Sequence, residues 1–191
     1  MIYRPPFGAG FFSEHKMIIG LTGRKRSGKS TIAQALVHKG FTEFSFAEPI
    51  RTFTKILLGI DHAGLEEAKE QPVKWLDSIV TPRYIMQTLG TEWGRHTIHP
   101  DIWIRYLTRR LTAPSNIDTN IVISDIRFDN EAIALRELGA KIVRVERPGG
   151  GEDWHSSEHG VALKYVDFGV MNNGELAAVN DIADLIVEKA K

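Results

Sequence analysis

Short blocks of apolar residues alternate along this chain with longer stretches in helical spacing. Residues 17–21 are Met, Ile and Leu around one glycine, and residues 121–125 open with Ile-Val-Ile before Ser124 and Asp125. They lack the strict polar alternation of a half-exposed strand and read as strands buried on both faces. Residues 44–46, 141–146 and 166–171 complete a set of five predicted strands. Between them, residues 29–39 carry Ile32, Leu36 and Val37 on one helical face, with Gly40 as the stop. Residues 130–138 form a second helix, with Asp129 as a possible cap and Gly139 as the stop. Residues 174–190 are amphipathic and close the chain as a helix.

The long middle stretch, 48–114, reads as helical, with Pro49, Pro72, Pro82 and Pro100 each where a helix could start. Strands alternating with helices predict an α/β fold: a five-stranded parallel sheet with helices on both faces, three layers in all. The helical stretch is then an insert over the C-terminal edge of the sheet, the edge at which such folds bind ligands. Residues 1–16 hold Pro5, Pro6, Gly8 and Gly10 and read as a loose extension, so the domain proper is expected at 17–191.

The candidate chemistry sits directly after the first strand. Gly23, Arg24, Lys25, Arg26, Ser27, Gly28, Lys29 and Ser30 fit G-x-x-x-x-G-K-[ST] at every position, with a strand before and a helix after. Each part has a physical reason. The glycines let the backbone turn tightly and present N–H groups to phosphate oxygens, and the helix N-terminus adds its positive dipole end. Lys29 is placed to reach the β- and γ-phosphates, and the Ser30 hydroxyl to ligate Mg²⁺. A plain connecting loop is the bland alternative. With glycine near 7% of residues, a chance match in a chain this long is on the order of one per cent. The motif thus implies a nucleoside triphosphate, ATP in the simplest case, on a three-layer P-loop NTPase fold. The extra cations Arg24, Lys25 and Arg26 either face phosphate or are solvated.

Further residues suit phosphoryl transfer, which needs converging positive charge and few covalent steps. Asp125 ends the third strand, where a carboxylate would hold Mg²⁺ or its water shell; capping the next turn is its alternative. Arg127 follows two residues on. Arg51, Arg83 and Arg95 lie in the helical insert, and a guanidinium grips phosphate bidentately. Gln87 is four residues from Arg83, so both share one helix face. Residues 147–161, opened by Arg147 and a run of three glycines, read as a short lid with His155 and Glu158 inside it. His155 and His159, with no third ligand, are weak evidence for a metal.

Several segments resemble bacteriophage-type deoxynucleoside monophosphate kinases. The loop 25–30 does so, as do residues 44–51, 81–95 and 124–132, with a weaker match at 155–158. The family's usual Asp after the second strand is Glu48 here, and its Asp-Thr after the loop lysine is Ser30-Thr31. The resemblance implies an enzyme that transfers the γ-phosphoryl group of ATP, with Mg²⁺, directly to a deoxynucleoside 5′-monophosphate. It implies catalytic roles for Lys29, Asp125, Arg127 and Arg147, with the loop, Thr31 and Asn173 on ATP. Glu48, Arg51, Arg83, Gln87, Arg95, Trp103, His155 and Glu158 would serve the acceptor, and Ser30 and Asp125 the metal. Another small-molecule kinase of the same fold, such as a dephospho-coenzyme A kinase, is the alternative. A nucleotide-regulated binding module is a third.

Composition narrows the field. Lysine plus arginine and aspartate plus glutamate both number 24, so the formal net charge is zero, which disfavours a general nucleic-acid or membrane-surface binder. The 42% hydrophobic content supports a full core, and the absence of cysteine excludes disulfides and thiolate metal sites. No apolar run approaches the roughly 20 residues of a membrane span. The expected partners are small nucleotides, the expected place is the cytoplasm (of the host, if phage-encoded), and the oligomeric state is open, a homodimer included.

Overall fold

The computed structural model describes residues 16–76, 79–148, 161–175 and 177–191. The expected extension up to residue 15, and the expected lid apart from Arg147, Pro148 and Val161, lie outside the described residues. His155 and Glu158 lie outside them too. The chain forms two compact units, one of Met1–Phe46 with Ile104–Lys191, the other of Ala47–Trp103.

The first unit is built on a five-stranded sheet, all pairs parallel, in the order β2-β3-β1-β4-β5. Its strands are β1 (Ile18–Thr22), β2 (Thr42–Phe44), β3 (Ile121–Ile123), β4 (Lys141–Glu146) and β5 (Phe168–Met171). All five residues of β1 and all three of β3 are buried, which is why neither shows polar alternation in sequence. Helices α1 (Lys29–His38) and α7 (Ala178–Ala190) cover one face. There Ile32, Ala33 and Leu36 of α1 and Ala183 and Ile186 of α7 share a core with Ile19, Leu21, Val122, Val143 and Val145. Fully burying one such aliphatic side chain is worth about 1.5–3 kcal/mol. Helix α6 (Asp129–Glu137) lies beside β4.

Four strands differ in their bounds from expectation: β1 is shifted by one residue, β3 stops at Ile123, two residues short of Asp125, and β2 and β5 start elsewhere. β2 lies at 42–44 rather than 44–46, because Thr42 N–H donates to the Asn120 carbonyl and pairs with Ile121, so the ladder closes at Phe44 opposite Ile123. β5 begins at Phe168, and Asp167 acts as its clamp. Asp167 donates its N–H to the Ile142 carbonyl at 2.8 Å, accepts the Ile142 N–H at 2.7 Å and pairs with Arg136 at 2.7 Å. Asp129 is the first residue of α6, not its cap. The carboxylate of Glu131 reaches back to the N–H groups of Arg127 and Phe128, at 2.9 and 3.1 Å. The closing helix begins at Ala178 rather than 174, since Gly174 sits at φ +89°.

The second unit is helical: α2 (Glu48–Leu58), α3 (His62–Ala68), α4 (Pro82–Thr88) and a π-helical segment, Leu89–Ile98. Pro49 and Pro82 stand in first turns, where a missing N–H costs nothing. Pro72 starts no helix. Helices α3 and α4 are capped by side chains, Asp61 on Gly64 N–H at 2.8 Å and Thr81 on Tyr84 N–H at 3.1 Å. Helix α5 (Ile102–Leu111) begins in this unit and continues in the other. No described helix is long and apolar enough to cross a membrane.

Just before β1, the Lys16 ammonium donates to the carbonyls of Asn116 and Leu111, at 2.7 and 3.4 Å. Burial lowers its pKa to about 8, with Asp118 opposing the shift. The folded chain therefore holds this proton less well than the unfolded chain, where lysine titrates near 10.4. Between those values the unfolded state binds more protons, so stability rises with pH. Urea midpoints of the wild type relative to Lys16→Met should climb from pH 7.5 to pH 10. A flat difference would contradict this reading.

Candidate active site

The turn from β1 into α1 is shaped by two contacts. Gly23 has φ +139°, and a Cβ there would stand 2.2 Å from the Val145 carbonyl oxygen of β4. Gly28 has φ +97°, and its Cβ would fall 1.9 Å from Asn172 Nδ2. Only glycine fits either place, by conformation and by space. Between them Ser27 N–H donates to the Arg24 carbonyl at 3.2 Å, and Arg26 takes the left-handed conformation at φ +64°. This is uncommon for a residue with a Cβ and is held by the surrounding turn.

Helix α1 starts at Lys29 with glycine before it, which offers no side chain to cap the first turn. Its first turn, without a side-chain cap, stands at the positive end of the helix dipole, an anion-binding arrangement. The Lys29 ammonium folds over the loop, donating to the carbonyls of Gly23 at 2.7 Å and Arg24 at 2.6 Å. It is held across the loop mouth by contacts that phosphate oxygens could replace. Arg24, Lys25 and Arg26 are exposed, as is Ser30, while Ser27 is buried. Thr31, the next residue of the helix, is exposed as well.

Asp125 stands two residues beyond β3 and ties that end of the sheet to the end of β2. Its Oδ2 accepts the Ser45 hydroxyl at 2.7 Å and its Oδ1 the Phe46 N–H at 2.9 Å. Arg127 and Arg147 are exposed. The Arg147 guanidinium lies against Gly174, whose Cβ would sit 2.6 Å from Nη2. Asn173 is exposed, while its neighbour Asn172 is buried.

In the helical unit, Arg83 and Gln87 both lie on α4 as their spacing predicts. Arg83 is paired with Glu70 through Nε and Nη2, both at 2.5 Å. Glu48 opens α2, with Arg51 one turn on. Burial raises the pKa of Glu66, but two Lys69 bonds at 2.8 and 2.9 Å, with the charges of Arg51 and His62, outweigh it, and the net shift is downward. Arg95 Nη1 and Trp103 Nε1 both donate to the Gly90 carbonyl, at 2.9 and 2.8 Å. Trp103, expected on the acceptor, is instead an internal anchor. Its ring is 7% exposed and abuts Gly94, whose Cβ would lie 2.6 Å from it. No face remains for a base to stack on.

Three residues joined to the expected site are not among the candidate site residues read from the sequence: Ser45, Glu70 and Asn172, the neighbour of the candidate Asn173. Of these only Asn172 had a readable signal. It continues the alternation of β5 in phase with buried Val170, so a polar amide was bound to point inward. Among the described residues no group of three or more His, Asp or Glu is placed to hold a metal by itself.

A family model described as deoxynucleotide monophosphate kinase matches residues 60–182. A chain of Acanthamoeba polyphaga mimivirus that carries the same name is 35% identical over 178 residues, covering 82% of this chain and 89% of its own. The deoxynucleoside-5′-monophosphate kinase of Escherichia phage T5 is 32% identical over 140 residues, 69% of this chain and 53% of the phage protein. This chain thus spans most of the first relative and about half of the second. Among solved structures, a dephospho-CoA kinase from Campylobacter jejuni superposes with a TM-score of 0.47 at 16% identity, over 92% of this chain and 98% of that one. A likeness of that size says nothing about an acceptor.

The loop geometry makes a direct prediction. Gly23→Ala should unseat the loop, losing binding of a fluorescent ATP analogue and lowering the melting temperature, because the obstructing atom is backbone. Gly40→Ala also meets a positive φ, +91°, but nothing lies within 4 Å. It should cost only the left-handed strain of about 1–2 kcal/mol and leave nucleotide binding unchanged. Equal binding by both variants would contradict the assigned role of Gly23.

Proposed function

Because the chain belongs to the deoxynucleotide monophosphate kinase family, and so is an enzyme that phosphorylates deoxynucleoside monophosphates, we propose that its sheet unit binds ATP on residues 23–30 and its helical unit binds the acceptor. The observation that carries this division is the loop. It offers uncapped helix N–H groups, two glycines held by steric necessity, and a lysine folded over the opening. Those are the features a polyphosphate needs, since the backbone donors of the loop are already fixed and only the lysine has to move.

In this reading Lys29 leaves the Gly23 and Arg24 carbonyls for the β- and γ-phosphates. Arg127 and Arg147 add charge on the transferring group, Arg24, Lys25 and Arg26 add it around the loop, and Asn173 lies along the nucleoside. Arg83, oriented by Glu70, grips the acceptor phosphate, with Arg51 and Arg95 supporting it. Gln87 on the same helix reads the sugar or base, and Glu48 helps place it. Trp103 supports this group from within by fixing the Gly90 carbonyl. Transfer is direct and in line, so the protein contributes position and charge rather than a covalent intermediate.

Ser30 and Asp125 would hold Mg²⁺. Both offer hard oxygen donors, as that ion prefers. Asp125 accepts the Ser45 hydroxyl on Oδ2 and the Phe46 N–H on Oδ1, and a carboxylate held in this way suits contact through a bound water. When bound, the ion neutralises phosphate charge. The small substrates and viral relatives support action in the host cytoplasm.

The test is a panel. With Mg·ATP, ADP should form rapidly with one or more of the four deoxynucleoside monophosphates. Lys29→Ala should cut turnover by about 100-fold or more. Arg83→Ala should raise the acceptor KM about tenfold or more, with that for ATP little changed. Turnover with dephospho-coenzyme A alone, or none with any deoxynucleotide, would contradict the proposal.

A further inference from the structure

Asn172 is 4% exposed, and each of its polar groups is directed. Nδ2 donates to the Ser27 carbonyl at 2.9 Å, Oδ1 accepts the Gly174 N–H at 3.0 Å, and its own N–H donates to the Glu146 carbonyl at 2.7 Å. The amide fills the space that a side chain on Gly28 would need. It therefore joins the phosphate loop, across 145 residues of sequence, to the turn after β5 against which Arg147 lies.

The consequence lies in the peptide linking Ser27 to Gly28. No described peptide bond is cis, and in a planar trans peptide the C=O and N–H point in opposite directions. Holding the Ser27 oxygen on Asn172 therefore fixes the Gly28 N–H on the side away from Asn172. Glycine at 28 tolerates φ of either sign, so the steric barrier that would stop this peptide from flipping elsewhere is missing here. A flip would replace an N–H by a carbonyl oxygen on the side where the anion is to bind. We propose that Asn172 is a positioning residue that locks the Ser27–Gly28 peptide so that its N–H faces the phosphates. This rests on the reading of residues 23–30 as the ATP loop.

Asn172→Ala removes the lock, and Asn172→Asp replaces its donor by an oxygen in a side chain of the same shape. Both should raise the dissociation constant of a fluorescent ATP analogue, by about tenfold for the lost hydrogen bond. The KM of the acceptor should stay within about twofold of wild type. The Asp variant adds a signature that packing alone does not produce. Above its carboxyl pKa it repels the Ser27 carbonyl, but a protonated carboxyl donates again. At a position 4% exposed, desolvation raises the pKa of a carboxyl, so the affinity of the Asp variant relative to wild type should recover as the pH falls from 8 to 5.5, while that of Asn172→Ala should not. The charged groups nearby are Lys29, next to Gly28, and Arg147, against Gly174. If Lys29→Ala weakens binding while both Asn172 variants bind as wild type does, or if the Asp variant shows no relative recovery, the lock is overturned and the loop reading stands. If Lys29→Ala also binds like wild type, the loop reading fails and takes the lock with it.

Discussion

The turn between β1 and α1 passes so close to two other parts of the sheet unit that no side chain fits at either contact. At Gly23 the obstacle is the Val145 carbonyl of β4, and at Gly28 it is the Asn172 amide at the end of β5. These contacts fix the loop against the sheet before any ligand arrives. The helix that follows then begins behind a glycine, with no side-chain cap and with its lysine across the mouth. A polyphosphate meets donors whose ordering was completed on folding, which is the arrangement that electrostatic catalysis depends on. The parallel sheet is what makes this possible, because it brings the ends of β1, β4 and β5 to one edge although they are far apart in sequence.

The rest of the sheet unit serves the same edge. β3 ends early enough for Asp125 to leave the ladder, and β2 ends where Ser45 and Phe46 can bond it. A carboxylate so held is oriented as well as charged. In the helical unit the same economy appears in the pairing of Arg83 with Glu70 and in the Gly90 carbonyl shared by Arg95 and Trp103. An arginine already braced loses less freedom on taking up a phosphate.

Much of this was legible in the chain because the physics is local. The phosphate loop depends on glycines, a lysine and flanking periodicity within a dozen residues, and the strands expected at 121–125, which stops at Ile123, and at 141–146 depend on their own apolar runs. The start of β2 was misplaced because its register is set by Asn120 and Ile121, remote partners that a window around Phe44 does not contain. Trp103 illustrates the opposite error. It is expected among the residues that serve the acceptor, yet its N–H and ring are used on Gly90 and Gly94. Ser45 and Glu70 were invisible for the reason β2 was, since each matters only through a partner distant in sequence. Asn172 was half visible, inward by alternation, though its partner could not be named.

The most direct measurement is a crystal structure with Mg²⁺ and a non-hydrolysable ATP analogue. The triphosphate should lie along residues 23–30, with the Lys29 ammonium moved from the Gly23 and Arg24 carbonyls onto phosphate oxygens. A nucleotide bound elsewhere, with Lys29 still on those two carbonyls, would contradict the account.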